Sequence, residues 1–159
     1  MFERLLIGPF LILAIILGLA GDQWLEGRPC PSWLPNAVDG RWPPGAVLLI
    51  ILSVLVVFAA RELAAMFKAK GIDASRRVFG SVALLGILVT SLVPPGWDAV
   101  AAASLVCTAA AAAMTGSIIF YSRNRTVQGV LTATGGSMLS FVYLGMLAGV
   151  LVAIRREHS

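Results

Sequence analysis

Charge is what this 159-residue chain has least of: 13% of its residues are Asp, Glu, Lys or Arg, against about 25% in an ordinary soluble domain. The charges sit in short gaps and leave long stretches bare, while 58% of residues are hydrophobic and mean hydropathy is +0.90. A soluble fold of this size keeps much of its chain at the surface and could not hide so much apolar side chain. A bilayer selects such a pattern, because a charge at mid-membrane costs at least roughly 2.5–3.5 kcal/mol.

Chemistry-bearing residues are scarce too. There are two cysteines, Cys30 in a polar stretch and Cys107 in an apolar run, and one histidine, His158. Neither cysteine belongs to a CxxC or Cys/His cluster, so a zinc site and a disulfide are not expected. The apolar runs carry no mid-span carboxylate. There is no Gly-rich phosphate loop followed by Lys, and no nucleophile set beside a base. On the basic side of the chain the acids are Glu3, Glu62 and Asp73. Divalent-metal nucleotide chemistry needs carboxylates to hold the ion, so the residues themselves point to no catalytic and no metal-binding group. The net charge of +4 lies beside hydrophobic spans without any basic-aromatic groove, which favours lipid headgroups over nucleic acid as the partner.

What remains is an all-α pattern: a polytopic helical bundle of about five transmembrane helices, forming a single transmembrane domain over 1–159. The expected spans lie near 5–21, 45–60 with an extension to 70, 78–93, 99–121 and 127–154. Gly18-Leu-Ala20 could pass for a signal-peptidase site, but four further spans make an uncleaved first helix the more natural reading. Asp22–Pro44 reads as a loop, since Pro29, Pro31, Pro35, Pro43 and Pro44 exclude regular helix through most of it. Trp24, Trp33 and Trp42 would hold that loop at the membrane–water interface. Lys68 and Lys70 complement a helix C-terminus and Gly71 suits a left-handed cap. The fifth run is about 42 Å long if wholly helical, which predicts tilt or a bend at Gly135-Gly136.

Lys and Arg counts give an orientation. With the N-terminus inside, Arg4, Arg61, Lys68, Lys70, Arg76, Arg77, Arg123 and Arg125 are inside, and Arg28, Arg41, Arg155 and Arg156 outside. That excess favours a cytoplasmic N-terminus, although Arg155-Arg156 would prefer the other side.

Two groups of residues stand out. Arg61 and Glu62, with Lys68, Lys70, Arg76 and Arg77, could contact a lipid headgroup. The bland alternatives are a snorkelling pair at a helix end and simple topology determination. Gln128, Thr132, Gly136, Ser140 and Tyr143 follow one another at helical spacing, which predicts one face that packs on a neighbour or lines a cavity. Gly145 and Gly149 form a GxxxG pair and Ala109–Ala113 permits close approach. GxxxG alone does not establish dimerisation, and a homodimer stays open.

The order of these features resembles a known family. Arg4-Leu-Leu-Ile-Gly-Pro-Phe-Leu-Ile, then Ala60-Arg-Glu-Leu-Ala64 with Lys70-Gly71-Ile72, then Phe141-Val-Tyr-Leu-Gly145 running on to Ile154-Arg155 are similar to segments of bacterial phosphatidate cytidylyltransferase (CDP-diacylglycerol synthase). The resemblance implies a multi-pass enzyme of the bacterial cytoplasmic membrane. It would join CTP and phosphatidate into CDP-diacylglycerol and pyrophosphate with Mg2+, in phospholipid biosynthesis. The family's acidic C-terminal signature, with its Lys-Asp pair and Ser-Pro-x-Lys-Thr stretch, is not in this chain. The expectation is therefore an N-terminal membrane scaffold, inactive alone and binding no cofactor, with no catalytic residue of the family carried onto it. The alternative is a small non-enzymatic membrane protein, such as a transporter subunit or assembly factor. A proton-coupled transporter is disfavoured by the lack of a mid-membrane acid or histidine.

Overall fold

The computed structural model describes residues 2–25, 45–72, 74–91, 93, 96–123 and 127–157, with backbone alone at 2–12, 14 and 128. The chain is a helical bundle with no strand among these residues. Its elements are α1 (Phe2–Leu25), α2 (Ala46–Ala69), α3 (Arg76–Ser91), α4 (Ala99–Ser122), and a last long helix. That helix comprises α5 (Val127–Leu139), a π-helical segment (Ser140–Met146) and α6 (Leu147–Glu157). Among the described residues, three stretches are long and apolar enough to cross a membrane: Ala46–Ala69, Ala99–Ser122 and Gly129–Glu157.

The short helix α3 is the axis of the bundle. Its 16 residues rise about 24 Å, and α2, the π segment, α6 and α4 all pack on it, leaving Ser81 and Leu88 on its one open face. Phe79, Ala83 and Ile87 are fully buried there. From α2 come Leu48, Leu52, Val56, Ala60 and Ala64, one residue every four. The two alanines at its lower end leave room for Phe67 and Phe79 to meet edge to face at 5.6 Å.

The GxxxG pair is consumed inside the chain. A Cβ on Gly145 would stand 2.5 Å from the Ala83 carbonyl oxygen and 2.9 Å from the Gly86 Cα. One on Gly149 would fall on the Thr90 hydroxyl. Two helix backbones touch here because neither carries a side chain at the crossing. Thr90 keeps its hydroxyl occupied by donating to the Gly86 carbonyl at 2.8 Å.

Of the tilt or bend expected for this run, Gly135-Gly136 makes no break: the α-helix continues to Leu139, and the irregularity is the π segment beginning at Ser140. Gly136 serves contact instead, since a Cβ on it would meet Phe79 and Phe67 at 2.7 and 2.8 Å. The π segment also rewrites the expected face. A stripe at spacings of four drifts round an α-helix by about 40° per step, and a π turn changes the period again. Gly136 and Ser140 point inward, whereas Thr132 and Tyr143 are exposed. After Ser140 the next buried small residue on α3 is Gly145, five positions on, which is the π repeat. The backbone of Gln128 is helical.

At the start of the chain, α1 runs to Leu25. The loop expected from Asp22 therefore begins later, and its remainder, 26–44 with Cys30, lies outside the described residues. Gly18-Leu-Ala20 is continuous helix, with Gly18 buried against Leu48 and Ile51 of α2.

Candidate functional site

The cationic end of the bundle is built by the end of α2 and the start of α3. Gly71 takes φ 79°, its N–H donates to the Lys68 carbonyl at 3.0 Å, and that of Ile72 to the Phe67 carbonyl at 3.1 Å. This is a Schellman cap, and it turns the chain sharply into α3. The buried Tyr121 of α4 closes the turn by accepting a hydrogen bond from the Ser75 N–H at 3.1 Å. The result brings Lys68, Lys70, Arg76 and Arg77 together on one exposed end, joined by Arg123 after α4. Of the sequence-predicted headgroup residues, these four lysines and arginines are thus gathered.

Arg61 and Glu62 lie further up α2, and they are exposed because Ala60 and Ala64 on the same turns face the core. Glu62 lines a surface groove of about 190 Å³ together with Ala59, Leu63 and Met66 of α2 and with Leu139, Tyr143 and Leu144 of the last helix. Tyr143 is 66% exposed. The groove therefore draws one residue from each predicted set, Glu62 from the first and Tyr143 from the second. The π segment causes this, since it swings Tyr143 away from the Gly136–Ser140 face.

Ser140 is a packing residue: its hydroxyl donates to the Phe79 carbonyl of α3 at 3.1 Å. Two residues outside the predicted set do similar work, with Ser137 and Ser117 joined hydroxyl to hydroxyl at 3.0 Å across α5 and α4. Thr134 beside them is buried and its hydroxyl has no partner among the described residues. On α4 the exposed Ser104, Thr108 and Thr115 donate to carbonyls of their own helix at 2.7–2.8 Å, the arrangement that lets a hydroxyl face lipid.

The opposite end holds an acid expected at the start of a loop and found within α1. Asp22 of α1 is 3% exposed. It accepts hydrogen bonds from the Gly45 N–H at 3.0 Å and the Val47 N–H at 3.3 Å, at the N-terminus of α2. Arg155 Nε of α6 lies 3.3 Å from the same carboxylate. Next to it, the Arg156 guanidinium donates to the Ser91 carbonyl at the end of α3 at 2.7 Å. A carboxylate at a helix N-terminus and a cation at a helix C-terminus both oppose the backbone dipole. Four helices meet in this clasp. The cue available in sequence was Asp22 standing one residue past an apolar run, with arginines closing another run.

No three His, Cys, Asp or Glu side chains converge among the described residues. No family model, curated protein or solved structure matches the chain. The class that fold and hydropathy define is a helical membrane protein.

Proposed function

We propose that the chain is the membrane scaffold of a phosphatidate cytidylyltransferase, holding the lipid-facing part of an enzyme that makes CDP-diacylglycerol from CTP and phosphatidate. The observation that carries this reading is a convergence. Ala60–Ala64 and Phe141–Gly145, two of the segments on which the family resemblance rests, are about eighty residues apart in sequence yet wall the same surface groove. The cations Lys68, Lys70, Arg76 and Arg77 beyond it support an approach by a phosphate-bearing lipid, at about 1 kcal/mol per cation near an anionic surface. CTP and Mg2+ would be handled by acidic residues this chain does not carry. Its own task is to hold lipid and helices. The same reading puts it in the bacterial cytoplasmic membrane with a cytoplasmic N-terminus.

Sequencing the gene through and beyond codon 159 tests the proposal. A reading frame continuing into an acid-rich half supports it, and a stop codon with no such half downstream overturns it. The 159-residue chain in phosphatidate vesicles with CTP and Mg2+ is expected to form no CDP-diacylglycerol; formation above background would put catalysis in this chain. The second reading, a transporter subunit or assembly factor, loses its GxxxG motivation because that pair is occupied within the bundle.

A further inference from the structure

The groove between α2 and the π segment exposes a carboxylate and a phenol for which the fold has no use. Glu62 and Tyr143 both line it, and among the described residues neither has a hydrogen-bonding or ionic partner. The remaining walls are Ala59, Leu63, Met66, Leu139 and Leu144, all apolar. Arg61 is the next residue to Glu62, but neighbouring helix positions diverge by about 100°, and Arg61 is not part of the groove. Glu62 also precedes Lys68 by six residues, about 9 Å along the helix axis. It therefore lies inward of the exposed lysines, where headgroup gives way to acyl chain.

An ionised carboxylate at that depth is costly unless a cation meets it. Phosphate is the wrong complement, because a carboxylate repels it. A primary ammonium is the right one: it is cationic, and its three N–H groups can be shared between the Glu62 carboxylate and the Tyr143 oxygen. The leucine and methionine walls suit the acyl chain that accompanies such a headgroup in a bilayer. We infer that this groove binds a phospholipid carrying a primary ammonium headgroup, of the ethanolamine type, through Glu62 and Tyr143. The inference needs only the membrane setting and stands whether or not the chain belongs to a cytidylyltransferase.

The test uses the full chain in nanodiscs of mixed phosphatidylethanolamine, phosphatidylcholine and phosphatidylglycerol, with retained lipid counted by native mass spectrometry. Phosphatidylcholine keeps the positive charge but has no N–H, so it isolates the hydrogen bonds. The expected result is about threefold enrichment of phosphatidylethanolamine over phosphatidylcholine, the scale of one partly solvated hydrogen bond. Glu62→Gln should abolish it, Tyr143→Phe should roughly halve it, and Thr115→Val on the far helix should leave it intact. Equal retention of phosphatidylethanolamine and phosphatidylcholine, or wild-type enrichment in Glu62→Gln, would overturn the inference. So would efficient disulfide crosslinking between two copies carrying Tyr143→Cys with Cys30 and Cys107 replaced by Ser, because a second chain would then cover the groove.

Discussion

The two ends of the bundle use charge in opposite ways. At one, Asp22, Arg155 and Arg156 are drawn into contacts that tie α1, α2, α3 and α6 together. At the other, Lys68, Lys70, Arg76, Arg77 and Arg123 stand exposed, without a partner among the described residues. Both ends carry paired arginines in the sequence, so composition cannot tell them apart. The difference lies in what the surroundings offer. A buried carboxylate and two orphan helix termini make the first pair structural, while open surroundings leave the second pair available to lipid. The clasp also relieves the discomfort of Arg155-Arg156 on the less basic side, since one has a counter-ion and the other caps a helix.

The sharpest way to break this comparison is Asp22→Ala. It removes the Asp22 counter-ion of Arg155, whose side chain is 19% exposed, and the acceptor for two α2 N–H groups. A loss of about 3 kcal/mol is expected, measured by unfolding in mixed micelles, with α1 detaching first. A loss below about 1 kcal/mol would mean that the two ends do not differ. Gly145→Val probes the middle of the molecule, where added methyls meet the Ala83 and Gly86 backbone. Overpacking of this kind costs about 1–3 kcal/mol and should lower stability without changing lipid preference.

Arg156→Met keeps the apolar stem and deletes the bond to the Ser91 carbonyl; about 1.5 kcal/mol is expected in the same assay. Thr134→Val removes the unpartnered buried hydroxyl and should stabilise by about 1 kcal/mol. The smallest stability effect belongs to the cationic end. Replacing Lys68, Lys70, Arg76 and Arg77 by Gln should change unfolding by less than about 0.5 kcal/mol per site, yet clearly reduce enrichment of anionic lipid around the protein. If that quadruple variant unfolds as readily as Asp22→Ala, the contrast between the ends is lost.

How much of this could be read along the chain depended on whether the signal was local. The Gly71 cap was legible, because Lys68-Ala-Lys70-Gly71 closes a helix through bonds between neighbouring residues. The runs over 46–69 and 99–122 were legible from hydropathy, and observed and expected boundaries there differ by a residue or so. The end of α1 was not: Asp22 looks like the first polar residue of a loop until its carboxylate is seen on the Gly45 and Val47 N–H groups. The polar stripe was legible in part, with Gly136 and Ser140 packed inward and Tyr143 not. Its spacing was read on one period, and the helix changes period at Ser140, so Tyr143 left the face that Gly136 and Ser140 share. Gly145 and Gly149 were recognised as an approach site, but the partner helix could not be known, because small residues permit contact without naming what comes near.

By itself, then, the sequence determined the medium, the helices and the uneven placement of Lys and Arg. These depend on transfer free energies and short-range hydrogen bonds that each segment carries with it. Only the tertiary structure decided which charges are structural, which helix the GxxxG pair meets, and that Glu62 and Tyr143 share a groove. Those outcomes depend on the burial and rotation of helices against one another, and both are properties of the assembled bundle.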